Sequence, residues 1–298
     1  MTPSIIAIDE SHADIAGATV YWSMSGEIDH ERLCDALRAV GVPEEECPRL
    51  PTPACALHRA LWSITGERDG RRVLVRPLKK EATWALVHET EDALKLRETH
   101  ETTVSLDAEK HILMDGDQTG ALKLVAAYER ARITVTTDDM SGWLSGLMRR
   151  LLAVALRERG GIYFIPKQNL QKFNAITEAI MSVSIFQFYK IPSLRCDDAV
   201  EAILAAITAE AEKTISDVTT DIIGGTLGAR ALETRRVCCQ NMRGKVAAYE
   251  SLLGRAMVDI QKGLEGLDAN IAMAALAGES GNAFLPFADV ATLAAVGA

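Results

Sequence analysis

The sequence lacks the short motifs that mark most nucleotide, acyl-transfer and zinc-protease sites. It has no G-x-x-x-x-G-K-[ST] phosphate loop, no G-x-G-x-x-G dinucleotide loop, no G-x-S-x-G elbow and no H-E-x-x-H helix. Asp115, Gly116 and Asp117 are spaced as at the start of a calcium loop, but its other ligands are missing. We therefore expect no cofactor and no metal site, and catalytic residues remain unknown.

Long apolar runs and a regular cysteine framework are also absent. Residues 1–9 carry no positive segment of the signal-peptide type, and no stretch approaches the roughly 20 apolar residues that a membrane-spanning helix needs. The six cysteines include no C-x-x-C pair, although Cys238 and Cys239 are adjacent. This usage is typical of reduced, structural thiols. We expect a cytoplasmic protein that does not bind a membrane.

The composition is that of a folded protein with an uneven charge. With 298 residues, 48% hydrophobic and 24% charged, the chain is long enough for two domains. Its net charge is −9, yet residues 140–195 contain eight Lys and Arg against two Glu. Aromatic residues are interspersed among these cations, as on surfaces that neutralise phosphates and stack on bases. A strand core flanked by solvated charges has the same appearance, so both interpretations stay open. The residues that would contact nucleic acid are Arg149, Arg150, Arg157, Arg159, Lys167 and Lys172.

Residues 1–195 are predicted to form an α+β domain with a small antiparallel sheet. Alternating apolar residues indicate strands at 18–25, 72–76, 83–90, 100–106 and 132–136, with helices near 29–40, 54–64 and 117–130. The segment 140–195 is expected to form helix, strand, helix and strand, with its first helix ending at Gly160 and its two strands parallel in one sheet. If 83–90 and 100–106 pair as a hairpin, His88 would face His100. Because a metal site needs three or four ligands, a solvated histidine pair is the preferred interpretation.

Residues 196–298 are predicted to form a long antiparallel helical hairpin of the coiled-coil type, followed by an apolar tail. Apolar residues recur every three or four positions from Val200 to Ile222 and from Cys239 to Ile271, on either side of a glycine-rich break at 224–228. Cationic residues, Lys245 among them, occupy the other positions of the second segment. The seam expected to mediate oligomer or partner contacts comprises Met242, Val246, Tyr249, Leu253, Ile260, Leu264 and Leu267.

These patterns favour a non-enzymatic interaction or scaffolding protein that self-associates or binds a protein partner through the hairpin. The last thirty residues, 269–298, contain no Lys or Arg and are too apolar to remain in water, so we expect them to dock on the hairpin or on another subunit. The alternative is a nucleic-acid-binding factor that uses segment 140–195. An enzyme is the third hypothesis, since a site assembled from scattered residues leaves no linear motif.

Overall fold

A computed structural model describes residues 15–63, 65–68, 71–78, 83–92, 95–118, 120–157, 161–224 and 227–280. The strands are β1 (Ile15–Ser23), β2 (Glu27–Asp29), β3 (Gly66–Arg68), β4 (Arg71–Pro77), β5 (Thr83–Asp92), β6 (Lys95–Leu106), β7 (Ile112–Gly116), β8 (Thr134–Thr136), β9 (Val154–Ala155), β10 (Tyr163–Pro166) and β11 (Gln187–Leu194). The helices are α1 (His30–Ala39), α2 (Pro53–Ser63), α3 (Ala121–Ile133), α4 (Thr137–Arg150), α5 (Lys167–Ser182), α6 (Asp197–Ile223), α7 (Ala229–Leu253) and α8 (Val258–Ser280). The predicted α+β fold with antiparallel sheets and a helical C-terminal part is confirmed.

The chain divides into two compact units. The described residues of Met1–Ser23, Ser145–Asn174 and Gln187–Ala298 form the first, here called the bundle unit. Those of Met24–Leu144 and Ala175–Phe186 form the second, here called the sheet unit. The predicted boundary after residue 195 differs from this division, because the C-terminal helices share their unit with β1 and with β9 to β11. Among the described residues, no helix combines the length and the apolar character that a bilayer crossing requires.

The bundle unit contains a four-stranded antiparallel sheet in the order β11, β1, β10, β9. Since β10 and β11 both run antiparallel to β1, they are parallel to each other, as predicted, with β1 between them. Strand β11 includes Pro192, because a proline without an N–H donor is tolerated on an edge strand. Gly17 permits close strand contact, because a Cβ atom there would lie 2.1 Å from the carbonyl oxygen of Ile165.

Helix α4 ends at Arg150, so the predicted extension to Gly160 is wrong. Leu152 adopts a left-handed conformation with φ of 54°. The Leu152 N–H donates to the carbonyl of Arg149, and the Ala153 N–H donates to that of Met148. This is a Schellman cap with leucine at the position that glycine usually occupies. The sequence rule failed because it places the helix end at the next glycine.

The sheet unit contains a five-stranded antiparallel sheet in the order β3, β4, β5, β6, β7 and a two-stranded ribbon of β2 and β8. Helices α2 and α3 pack on the larger sheet around a core that includes Leu57, Leu61, Trp84, Val104 and Leu124. In the β5–β6 hairpin, Trp84 pairs with Val104 and Leu86 pairs with Thr102, which is the register that would bring His88 opposite His100 if it continued. An irregularity between Leu86 and Val87 then shifts the register, so that His88 pairs with Thr99 and not with His100.

Candidate partner-binding groove

Helices α6, α7 and α8 form an up-down-up bundle. Arg235 contacts Asp221 at 2.6 Å near one end of the α6–α7 pair, and Lys245 contacts Glu210 at 2.6 Å further along it. Numbers that rise on one helix while they fall on the other indicate antiparallel packing. Arg243 of α7 likewise contacts Asp268 of α8 at 2.7 Å. The predicted hairpin is therefore present in α6 and α7, with α8 packed against both.

The segment from Cys239 to Ile271, predicted as the second helix of the hairpin, belongs to two helices, α7 and α8. Helix α7 ends at Gly254, which has φ of 68° and donates its N–H to the carbonyl of Glu250. A left-handed glycine is the usual helix stop, and the Glu250 carboxylate also accepts from the N–H of Met257. The chain thus reverses direction between Leu253 and Val258. The three- and four-residue spacing of apolar side chains continues through this turn, so the sequence pattern did not indicate that a helix ends there.

All seven seam residues are buried inside the bundle. The exposed fraction of their side chains is 9% or less at each of Met242, Val246, Tyr249, Leu253, Ile260, Leu264 and Leu267. They share one apolar cluster with Val200, Ile203 and Ile207 of α6. Packing within the chain occupies the predicted seam, so a partner would have to contact another surface of these helices.

A buried polar cluster joins the bundle to the turn after α4. The Lys245 ammonium donates to the Ala153 carbonyl at 2.7 Å and to both Glu210 carboxylate oxygens at 2.6 and 2.7 Å. The Tyr249 hydroxyl donates to the Leu152 carbonyl at 2.9 Å. The Asn169 amide donates to the Leu151 carbonyl at 2.7 Å. Three consecutive carbonyls are thus each bound by a side chain.

The cluster has the properties of a structural contact. Burial lowers the pKa of Lys245 below its ordinary value, although the Glu210 carboxylate opposes this change. Burial also raises the pKa of the Tyr249 hydroxyl. The three protons of the ammonium match its three acceptors, which leaves no donor for a substrate. The prediction that Lys245 lies on the polar face of its helix is wrong, although a lysine in a helical pattern is usually solvated.

One concave surface of the bundle unit is a groove between the start of α7 and the later part of α8. We call it the α7–α8 groove. Its volume is about 770 Å³, within the range of sites that hold ligands or short segments. It is lined by Leu227, Gly228, Ala229, Leu232, Glu233, Arg236, Gln240, Asp268, Ile271, Ala272 and Ala275. Most of these residues are apolar or small, and four polar side chains complete the lining.

The polar side chains around the groove are largely paired with one another. Arg236 donates to the Glu233 carboxylate at 2.9 Å, and Asp268 contacts Arg243 at 2.7 Å. The other Asp268 oxygen is buried without a hydrogen-bond partner among the described residues. Burial, followed by the proximity of the Asp268 carboxylate, raises the pKa of the Cys239 thiol to about 12. The thiol is therefore protonated at neutral pH and is a poor nucleophile.

The basic residues of segment 140–195 lie on the surface of the bundle unit. Arg149, Arg150, Arg157, Lys167 and Lys172 are exposed, and Arg159 lies outside the described residues. The bond from Asn169 to the Leu151 carbonyl places the first turn of α5 beside the end of α4. Lys167 is in that first turn, where no acidic residue is present. A cation at a helix N-terminus is disfavoured by the helix dipole, whereas Arg149 and Arg150 at the end of α4 are favoured by it.

A second concave surface, in the sheet unit, is a cleft of about 540 Å³ lined by alanines and by charged and hydroxyl side chains. Arg59 of α2 forms two hydrogen bonds to the Asp139 carboxylate, at 2.8 and 2.6 Å. Asp139 also accepts from the backbone N–H and hydroxyl of Thr136, and its own N–H donates back to that hydroxyl, which makes a capping box for α4. Arg130 is paired with Glu27 at 2.8 Å. Both arginines of the cleft are thus neutralised by carboxylates, and the arrangement is structural.

The predicted pairing of His88 with His100 across the β5–β6 hairpin is wrong. In the β5–β6 register His88 pairs with Thr99 and His100 pairs with Val87, so the two histidines are not cross-strand partners, and their side chains lie outside the described part of the structure. His111 is exposed and contacts Asp107 at 3.3 Å. Within the described ranges, no three His, Cys, Asp or Glu side chains are grouped so that they could hold a metal ion.

Residues 15–280 match a family of unknown function, DUF6744, and the chain belongs to that family. The matched region includes every residue of the α7–α8 groove and of the buried cluster around Lys245. No curated protein and no solved structure matches the chain.

Proposed function

We propose that this DUF6744 protein is a non-enzymatic interaction protein that binds an apolar segment of a partner protein in the α7–α8 groove. The observation that carries the proposal is the groove itself, about 770 Å³ of mostly apolar surface between two helices. Apolar grooves between helices are a common way to bind an amphipathic helix or a short extended segment. The proposal keeps the interaction role expected from the sequence but moves it from the seam to the groove.

The lining supports a peptide ligand more than a reaction. Leu232 and Ile271 are buried, whereas Ala229 and Ala272 are small and exposed, so large side chains of a partner have room to enter. The charged residues around the groove are committed to each other, and the nearby thiol is protonated. Polar groups at the edge of an apolar surface typically contribute specificity more than affinity.

The test is selection from a displayed peptide library with the full chain as bait. We expect enrichment of peptides rich in Leu, Phe and Ile. Ala272→Arg fills the groove with a long cationic side chain at an exposed position, so it should weaken these peptides at least tenfold. Ala269→Arg is the matched control, because Ala269 is also an exposed alanine of α8 but does not line the groove. Equal binding to both variants would remove the proposal.

The second candidate function, nucleic-acid binding, is favoured by the position of Lys167. A lysine in the first turn of α5, next to the cationic end of α4, has no explanation in helix dipole energetics, whereas a phosphate contact would account for it. We expect single-stranded nucleic acid to bind with an affinity that falls steeply as salt rises. Replacement by Glu of Arg149, Arg150, Arg157, Lys167 and Lys172 should abolish binding. Replacement by Glu of Lys213, Arg230, Arg236, Arg255 and Lys262, which are exposed elsewhere in the same unit, changes the net charge by the same amount and is the control.

A cytoplasmic location and self-association remain part of this proposal. Sedimentation of the full chain over a range of concentrations measures the second directly.

A further inference from the structure

We propose that Cys34 and Cys47 of the sheet unit form a redox site, a pair of thiols that hydrogen peroxide converts into a disulfide within the chain. This role is separate from partner binding in the α7–α8 groove. Neither cysteine is in a disulfide, and both are buried, with 6% of each residue exposed. Cys34 lies in α1, and Cys47 directly follows a single turn of 3-10 helix, Glu44–Glu46.

A histidine side chain joins the two parts of the chain that carry the thiols. The Nε2 atom of His30, one turn before Cys34 in α1, lies 3.3 Å from the Cys34 sulfur. The same atom lies 2.8 Å from the carbonyl oxygen of Pro48, the residue after Cys47. The thiols are also close enough for Cys47 to add to the effect of burial, and together these raise the pKa of the Cys34 thiol to about 12.

The segment that carries Cys47 is held in place by further hydrogen bonds. The Cys47 thiol donates to the Pro43 carbonyl at 3.6 Å, across the 3-10 turn. The indole N–H of Trp143 donates to the Glu46 carbonyl at 2.6 Å. Because the fold keeps both sulfur atoms close together, closure of the disulfide is an intramolecular step with a high effective concentration of the second thiol.

Burial of the pair favours a small oxidant. Little of either residue is open to a bulky disulfide such as that of glutathione, whereas hydrogen peroxide is close to water in size. The high pKa of the Cys34 thiol makes its thiolate scarce at neutral pH, so we assign the first attack to Cys47.

The reaction takes two steps and consumes one peroxide. The Cys47 thiolate attacks one peroxide oxygen, the O–O bond breaks, and a sulfenic acid forms while hydroxide leaves. The Cys34 sulfur then attacks the sulfenic sulfur, the S–O bond breaks, and a second hydroxide leaves. The two thiol protons convert the two hydroxides to water, so that two thiols are oxidised and one peroxide is reduced.

The disulfide closes the loop between α1 and the 3-10 turn. Such a cross-link stabilises a fold mainly by restricting the unfolded chain, although the bond from the Cys47 thiol to Pro43 is lost. We expect the oxidised protein to melt about 5 °C higher than the reduced protein. In a reducing compartment a bond of this kind forms only transiently, which suits a reversible response to peroxide.

The experiment uses the full chain with Cys55→Ser, Cys196→Ser and Cys238→Ser, which removes the exposed thiols and alters neither Cys34 nor Cys47. Hydrogen peroxide is applied for the time that oxidises the exposed thiols of the parent chain, and trypsin digestion follows without reduction. Cleavage after arginine places the two cysteines on separate peptides, 33–38 and 39–49. We expect these peptides to be linked, with a mass lower than their sum by two hydrogen atoms, and to separate on treatment with dithiothreitol.

Cys239 is the matched control within the same molecule. It is buried, and the pKa of its thiol is also raised to about 12, but the Cys238→Ser change leaves it without a neighbouring thiol. We expect Cys239 to be oxidised at least about tenfold more slowly than the pair. Cys34→Ser in the same background should leave a sulfenic acid on Cys47 that dimedone labels, and Cys47→Ser should give at least about tenfold less label on Cys34.

The other outcomes overturn the proposal or one of its steps. Unlinked peptides, or oxidation of Cys239 as fast as that of the pair, would show that the two thiols are only packing groups. A link between peptides of different chains would also reject the proposal. Dimedone on Cys34 instead of Cys47 would overturn the order of attack, and an unchanged melting temperature would overturn the stabilising role. If the serine variants of the pair do not fold, the peptide linkage decides alone, because it is measured with both thiols intact.

Discussion

Removal of Lys245 and removal of Glu210 from their ion pair are expected to reduce the stability of the fold by different amounts. The Lys245 side chain is 7% exposed, whereas that of Glu210 is 33% exposed. In Lys245→Met, water can solvate the remaining carboxylate, and the principal loss is the unpaired Ala153 carbonyl, about 1–3 kcal/mol. In Glu210→Gln, a buried ammonium remains without its counter-charge, and we expect a loss of about 3–5 kcal/mol.

The dependence of this loss on pH provides a second measurement. If a buried lysine has to be neutral, its deprotonation costs about 1.4 kcal/mol of folding free energy for each unit by which the solution pH lies below the ordinary lysine pKa. Burial already lowers the pKa of Lys245, and removal of Glu210 would lower it further, because that carboxylate raises it. The folded chain then binds fewer protons than the unfolded chain at pH values below the ordinary lysine pKa of 10.5. Stability of Glu210→Gln should therefore rise, relative to the parent, from pH 7 to pH 9.5.

The assay is urea unfolding followed by circular dichroism at 222 nm. Lys213→Met, at an exposed position of α6, is the control for the change of lysine to methionine. The double variant Lys245→Met with Glu210→Gln should be close in stability to Lys245→Met alone. A larger loss for Lys245→Met than for Glu210→Gln, or a Glu210→Gln penalty that is constant with pH, would refute the reasoning.

Three further outcomes follow from packing and charge. Gly244→Ala should stabilise α7 by about 1 kcal/mol, since nothing lies within 4 Å of the added Cβ. Gly17→Ala should instead destabilise the sheet enough to lower the yield of folded protein, because its Cβ would overlap the Ile165 carbonyl. A change of melting temperature in the same direction for both variants would contradict this. Leu264→Ala should cost about 2–5 kcal/mol in urea unfolding, and a loss below 1 kcal/mol would mean that the bundle core is loosely packed. Although burial raises the pKa of Asp139, hydrogen bonds from Arg59 and from Thr136 lower it further than burial raises it. Its contribution is therefore present above the unfolded pKa and is lost as the pH falls through the lower folded value, so Asp139→Asn should flatten the acid limb of the stability profile, and an unchanged limb would contradict the assignment.

Local sequence patterns correctly predicted the helices and strands that begin or end with a common capping or turn residue. The beginning of α1 after Asp29, whose side chain accepts from the Arg32 N–H, follows helix-capping rules. Helix α6 begins at Asp197 with two acidic residues in its first turn, as the helix dipole favours, although its N-cap, Cys196, makes no side-chain capping bond. The pairs from Trp84 to Leu86 follow from alternation on one face of a strand. In each case, the information lies within a few residues of the feature.

The remaining features depend on contacts between distant residues. Leu152 adopts a glycine-like conformation while its carbonyl is bound by Tyr249, almost a hundred positions later. In the sequence, Gly254 is one of several glycines within the helical pattern of the C-terminal region. That it ends α7 is evident only from the packing of α8 back against α7. The groove forms only because α8 packs antiparallel to α7. The spacing of apolar residues, which predicted the buried seam, therefore could not predict the groove. Lys245 was assigned to the surface because its acceptors belong to elements far away in sequence.

The place of β1 in the middle of its sheet has a consequence for synthesis. Its neighbours begin at Tyr163, so during translation β1 leaves the ribosome without either of them. At 5–20 residues per second, roughly 140 intervening residues take on the order of ten seconds to make. Most of the sheet unit is synthesised in that interval and is free to fold first. The earliest strand would then be among the last to be incorporated, and a chaperone that shields it during the delay would raise the yield of native chains.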